Sequence, residues 1–366
     1  MAACGLFEEL VLDLVVHPNV DLGKPAMNDM QPVSRPVLVL VAGELLAAMY
    51  LITTRPARTF QREKRVDLIN ALSVDVEDYF QVSAFERHIA REQWDHLPRR
   101  VESNTDRLLA LFAECNARAT FFVLGWVAKQ HPGLVRRITE TGHELASHGY
   151  SQTRVCFQSR EQFRHDVSDA KKILEDISGM PVKGYRAPTY SINKTSMWAF
   201  DELENAGYCY SSSVYPIHHD LYGMPEAPRF PFRPTQGSLL EIPITTVRVM
   251  GRNMPCGGGG YFRLLPYELS RAAMRRVNVS DGKPCIFYFH PWEIDPGQPR
   301  QTGISLRTRF RHYVSLGRME SKLRRLLQDF LWDRIDNVFV SGAVGISESP
   351  PSEQRLQSAL TPRVSQ

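Results

Sequence analysis

At 366 residues the chain can form one large domain of about 250–300 residues plus extensions. Its apolar fraction of 43% and charged fraction of 23% are ordinary for a soluble globular enzyme, and a net charge of +4 gives no ground for a nucleic-acid partner. The six cysteines (Cys4, Cys115, Cys156, Cys209, Cys256, Cys285) form no Cys-x-x-Cys pair, which excludes a zinc ribbon or a thioredoxin-like site; they read as buried thiols, in keeping with a reducing compartment.

Residues 1–65 lack any strand–helix rhythm and read as an extension, unstructured or weakly membrane-associated. Within it, residues 36–52 are apolar but interrupted by Glu44, and are shorter than the ~20 residues that span a bilayer. Arg55, Arg58, Arg62, Lys64 and Arg65 follow; if the segment did span, they would leave the main domain in the cytoplasm. Glu8, Glu9 and Asp13 argue against a signal peptide, so a cytoplasmic location, with membrane association an option, is the expectation.

From residue 66 strands and helices alternate. The run 66–74 predicts a buried strand. Asn104 is placed to cap a helix over 106–115, and β-branched and aromatic residues predict a strand over 119–125. A helix over 133–141 stops at Gly142, and 144–147 predicts a third strand. Residues 160–178 carry Phe163, Val167, Ala170, Ile173, Leu174 and Ile177 at helical spacing. Further strands are predicted at 184–186, 239–244 and 285–289. This βαβαβ rhythm implies parallel strands with right-handed crossovers. The domain spans 66–345, and 346–366, rich in Ser, Pro and Gln, reads as a disordered tail.

In such folds chemistry gathers at the C-terminal ends of strands. Asp75, Glu77 and Asp78 end the first strand, and three like charges buried together need a cation or a proton to compensate them. His148 follows the third strand, Arg186 the next, and His290 a late one. Acids, a guanidinium and two imidazoles therefore share one mouth, which points to a metal-assisted or acid–base site.

Five segments in this order carry a family resemblance: Ser73-Val74-Asp75-Val76-Glu77-Asp78-Tyr79-Phe80, residues 119–125, residues 142–150, Arg186-Ala187-Pro188 and Phe289-His290-Pro291-Trp292. Over residues 66–345 the chain resembles the polysaccharide deacetylases of carbohydrate esterase family four (the NodB-homology type), and within them those associated with exosortase and exopolysaccharide loci. The resemblance implies an α/β fold, an irregular (β/α) barrel of about seven strands. It also implies removal of N-acetyl groups from amino sugars of a bacterial exopolysaccharide or cell-wall glycan, with a divalent metal, zinc, as cofactor. In that scheme Asp75 matches the base, His290 the general acid, and Arg186 the residue that holds the base in place. The metal ligands are His148, the residue at 152, and either Glu77 or Asp78. Strand alternation favours Glu77, which shares a face with Asp75, although Asp78 would serve if the strand has already ended. Trp292 would shape the acetyl pocket, with Tyr190, Gly259 and Tyr261 also expected at the substrate.

One position departs from the family pattern. The second histidine of its His-x-x-x-His motif is replaced by Gln152, a poor zinc ligand beside imidazole. His143 is more naturally a structural histidine than a substitute ligand. Two other readings stay open: a catalytically impaired glycan-binding protein on the same scaffold, and a metal-independent cyclic amide hydrolase. The run Gly257-Gly258-Gly259-Gly260 reads either as a flexible hairpin tip or as a place where backbone approaches a sugar ring, and is not a phosphate loop. The basic segment 300–325 reads as the solvated face of a helix around 319–330, or as a surface for an anionic glycan or membrane.

Overall fold

Strand β1 (Ile69–Val76) is buried at every position after the first. A strand buried on both faces belongs in the middle of a parallel sheet. It pairs with β2 (Thr120–Val123), with β9 (Ile286–Phe289) and, over its first three residues, with β10 (Leu331–Asp333). The computed structural model describes residues 68–219 and 222–341. The expectations for the N-terminal extension, its apolar segment and the C-terminal tail fall outside those residues.

From β2 the sheet continues through β3 (Glu144–Ser147), β4 (Gly184–Tyr185), β5 (Tyr210–Ser211) and β6 (Leu240–Glu241), every pair parallel. Seven strands lie on one path and β9 adds beside β1. The sheet curls into a half-barrel, in keeping with the irregular (β/α) barrel of about seven strands that the family resemblance implies. Between β6 and β9 irregular backbone bridges the gap, through hydrogen bonds from Cys256 N to Thr245 O and from Tyr288 N to Gly257 O. A separate antiparallel hairpin, β7 (Thr246–Val249) and β8 (Arg252–Pro255), turns at Met250 and Gly251, both at positive φ. That conformation suits a two-residue hairpin turn.

The helices are α1 (Val101–Glu114), α2 (Gly125–Gln130), α3 (Pro132–Glu140), α4 (Arg160–Ser178), α5 (Ala199–Asn205), α6 (Gly259–Leu264), α7 (Tyr267–Arg276), α8 (Leu306–Tyr313) and α9 (Leu316–Asp329). Helix α4 matches its predicted range because its signals are local: Ser159 accepts from Gln162 N, and Gly179 closes the helix at φ 68°. Helix α1 begins five residues before its expected start, and Asn104 is not its cap. Asp78, distant in sequence, accepts hydrogen bonds from Arg100 N and Val101 N, while Asn104 is buried and donates to Asp295.

The glycine run is not a hairpin tip. Gly259 and Gly260 open α6, and a side chain at Gly258 or Gly259 would collide with Tyr288 or with the Glu293 carboxylate. In the basic segment Arg324 pairs with Glu114 and Arg325 with Glu268, as expected of a solvated helix face. Cys115, Cys156, Cys209, Cys256 and Cys285 are free thiols, of which only Cys256 and Cys285 are buried. Among the described residues no helix is long and apolar enough to cross a membrane.

Candidate active site

Asp75 stands near the C-terminal end of β1, level with Phe122 of β2. Arg186, fully buried just past β4, donates from Nη1 to Asp75 Oδ1 at 2.6 Å and to Ser73 Oγ at 2.8 Å. Its Nε and Nη2 donate to Ser212 O and Ser212 Oγ at 3.1 and 3.0 Å, and its guanidinium lies 4.1 Å over the Phe122 ring. A buried charge is tolerable only with its donors satisfied, and here each nitrogen has a partner.

Glu77 stands one residue past the end of β1, where its N–H bonds back to Asp75 O at 3.0 Å. Its Oε2 accepts from Gln152 Nε2, and its Oε1 accepts from Trp292 Nε1 at 3.3 Å. Burial, partly offset by His290 and reinforced by Asp75, pushes its pKa up to about 7. Asp78 is turned away. Its Oδ1 accepts from Tyr79 N, and its Oδ2 serves the start of α1, at 2.7 Å from Arg100 N and 2.9 Å from Val101 N. Of the two expected metal carboxylates only Glu77 therefore reaches the cluster.

His148 donates from Nδ1 to Arg186 O at 2.9 Å, which leaves Nε2 with its lone pair. Burial holds it neutral, with its pKa lowered to about 4. His290 points its Nε2 at both acids, 3.4 Å from Glu77 Oε1 and 4.0 Å from Asp75 Oδ2. Its side chain is 21% exposed while those of the acids are 3% exposed, so His290 marks the open side. Burial alone would lower its pKa, but the carboxylates of Glu77, Glu293 and Asp75 outweigh that and raise it to about 9.

Residues that the sequence reading did not assign complete the arrangement. Glu293 Oε1 accepts from His290 Nδ1 at 2.8 Å and its Oε2 from Arg263 Nε at 2.6 Å. Burial would raise the Glu293 pKa, but Arg263 and His290 prevail and hold it at about 2. The available signal was a glutamate three residues after His290, where the two form a capping box at the start of a short helix. Ser73 and Ser212, which fix Arg186, carried no signal.

Trp292 stacks between His290 and His312, with ring centres 5.2 and 4.3 Å away. Tyr190 is buried 4.8 Å from Tyr288 and 5.7 Å from the Arg186 guanidinium. Thr189, Tyr190 and Gln152 all adopt positive φ, a strained choice for residues with side chains. Gly259 sits behind Glu293, where any side chain would displace that carboxylate, and Tyr261 is partly exposed two residues along α6.

The donor set does not fit a zinc ion. Among the described residues no three His, Cys, Asp or Glu side chains are grouped to hold a metal. An amide N–H of Gln152 points at Glu77, where a cation would need that carboxylate's lone pair, and Gln152 Oε1 is buried without a partner. One imidazole, one carboxylate and one amide are a poor set for zinc. His143 does not step in: its Nδ1 accepts from Ala119 N at 3.1 Å and its ring packs between Phe112 and Phe121.

Residues 92–210 match the sequence model of the polysaccharide deacetylase family, and residues 212–340 match a domain of unknown function, DUF3473. A peptidoglycan-N-acetylglucosamine deacetylase of Bacillus cereus is 29% identical over 99 residues, 27% of this chain and 36% of that protein. A chitooligosaccharide deacetylase of Rhizobium leguminosarum bv. trifolii is 26% identical over 144 residues, 39% of this chain and 60% of that protein. The chain thus spans less than two thirds of either relative's length. A crystal structure described as a candidate polysaccharide deacetylase from Mycobacterium smegmatis superposes with a TM-score of 0.50 at 19% identity, covering 85% of this chain and 98% of that one, and it shares the fold. The deacetylase match contains His148, Gln152 and Arg186, and the DUF3473 match contains His290 and Glu293. Over residues 92–210 the chain is thus similar to the polysaccharide deacetylase family, and over most of its length it shares that family's fold.

Proposed function

We propose that the protein hydrolyses N-acetyl groups of amino sugars in a bacterial glycan, an exopolysaccharide or a cell-wall polymer. The observation that carries this reading is the pair of opposed walls. Asp75, fixed by Arg186, and Glu77 lie on one side, and a protonated His290, fixed by Glu293, faces them from the open side. An acetamide entering there would meet a base and an acid together. Asp75 takes a proton from a water molecule as its oxygen bonds to the acetamide carbonyl carbon. The C–N bond then breaks as His290 gives its Nε2 proton to the leaving amine, which yields acetate and the free amino sugar. Supporting this are the match to the deacetylase family and relatives whose named substrates are N-acetylated glycans. The exopolysaccharide assignment follows the sequence resemblance.

The test is acetate release from N-acetylglucosamine oligomers, with Asp75→Asn as control. Release that falls about 10²–10⁴-fold in the variant supports the reading. An inactive wild-type protein, with or without added zinc or cobalt, contradicts it. That outcome favours the second reading, a glycan-binding protein without turnover, for which the specific observation is Gln152 hydrogen-bonded to Glu77.

A further inference from the structure

Helix α8 is inside out. An amphipathic helix ordinarily turns its apolar stripe to the core and its polar face to water. In α8 the one buried residue is His312, while Leu306 is 81% and Phe310 41% exposed. Four positions apart, these two share one face. Polar ties, not apolar burial, hold the helix in place. Ser305 Oγ accepts from Thr308 N at 3.1 Å and caps the start. At the other end Arg263 of α6 donates to Arg311 O, His312 O and Val314 O at 3.2, 2.8 and 2.8 Å. On the buried side His312 Nε2 donates to Gln298 Oε1 at 2.7 Å, and its ring stacks on Trp292.

The charge of this stretch has one sign. Between Asp295 and Glu320 the chain carries Arg300, Arg307, Arg309, Arg311 and Arg318 and no acid. All five arginines are exposed. At 3.6 residues per turn, Arg307 and Arg311 fall on one flank of the Leu306–Phe310 face and Arg309 on the other. Arg300 joins them at the end of the helix. Its guanidinium lies 4.3 Å from the Tyr313 ring centre, and Tyr313 Oη accepts from Gln301 N at 2.8 Å.

The combination says what covers this face. Outward apolar side chains flanked by arginines suit an anionic lipid surface, with Leu and Phe at the acyl boundary and guanidinium groups among the headgroup phosphates. An anionic polysaccharide would engage the arginines alone and leave Leu306 and Phe310 in water. A second copy of the chain would set like charges against like.

We propose that α8 docks the protein on an anionic lipid bilayer, lying in the interface without crossing it. Through His312 and Trp292 the docked helix is stacked directly behind His290, so the membrane contact adjoins one wall of the catalytic cluster. Docking of this kind does not depend on the reaction proposed above.

The test is co-sedimentation of the full chain with vesicles of phosphatidylcholine alone and of phosphatidylcholine mixed with phosphatidylglycerol, at low and at high salt. Wild type is compared with Leu306→Ser/Phe310→Ser, with Arg300→Gln/Arg309→Gln and with Phe310→Trp. Wild type is expected to partition onto the anionic vesicles and to be released by salt. Partition should fall about tenfold or more in the serine variant, which loses two inserted side chains. It should fall about fivefold for each arginine removed. Phe310→Trp keeps the apolar face, so it should bind as wild type does and shift its emission to the blue. No partition by the wild type, or an unmoved emission from Phe310→Trp, overturns the proposal. Equal partition of wild type and the serine variant also overturns it, by assigning the binding to another part of the chain. Loss in the arginine variant alone, with binding to polygalacturonate that the serine variant retains, overturns it in favour of a polyanion surface.

Discussion

Asp75, Glu77 and Asp78 lie within four positions yet meet three environments: a guanidinium, an amide with an imidazole, and the start of a helix. Asp75 was legible in the sequence as an acid at a strand end, and alternation also picked out Glu77, although the strand stops one residue before it. The fate of Asp78 was not legible, because its partners at residues 100 and 101 reach it only through tertiary folding. Asp78→Ala is therefore expected to destabilise the protein by about 1–2 kcal/mol, the value of a helix cap, measured as a shift in the denaturant midpoint. A change in bound metal without a loss of stability would contradict that assignment. Gln152 was legible as a departure but not as a hydrogen-bond donor. The wild-type protein should carry no stoichiometric zinc by elemental analysis, and Gln152→His should raise the bound zinc. Stoichiometric zinc in the wild type, removed together with activity by a chelator, would contradict the misfit argued from Glu77 and Gln152.

Among elements, the short helix that starts at Pro291 and helix α6 form one device. Glu293 fixes His290 and is itself fixed by Arg263 of α6, with Gly259 leaving it room. Glu293 is a positioning residue, so its test is a pH profile. A general acid must be protonated, and activity should fall as pH rises through about 9, where His290 titrates. Glu293→Gln removes one of the carboxylates that raise this pKa, so the alkaline limb should move to lower pH; an unmoved limb would show that Glu293 does not act through His290. In the sequence, helix α4 was legible at both ends through Ser159 and Gly179. The glycine run was not, because its reason is the close approach of β9 and Glu293, elements about 30 residues later in the chain.

For the whole molecule, the strand–helix rhythm conveyed the parallel sheet and the strand ends that form the site. It did not convey that β9 and β10 both return to β1, since long-range pairing decides strand order. The fold also buries opposing sets of titratable groups. Burial pushes Glu77, Glu144 and Glu241 up to about 7 and Asp166 to about 6. A carboxyl raised on folding contributes stability that is present below about 4 and is lost as pH rises through its folded value. His290, raised to about 9, adds a contribution lost between about 6.5 and 9. In the other direction, burial holds His143 and His148 at about 4 and His312 at about 3, while Arg263 and His290 outweigh burial to hold Glu293 at about 2. Those contributions are present at neutral pH and are lost as pH falls through the folded values. The two sets oppose each other between about 4.5 and 6.5. Urea midpoints should be level across that window and fall on both sides, and a steady rise from pH 4 to pH 9 would contradict the balance.

The central claim is that His290 protonates the amine leaving a sugar-bound acetamide whose water is activated at Asp75. It is tested most directly by acetate release from N-acetylglucosamine oligomers at neutral pH, with wild-type protein and His290→Gln assayed side by side. Release by the wild type and a loss of about 10²–10⁴-fold in the variant is the predicted result. Equal release by both proteins, or none by the wild type, would contradict it.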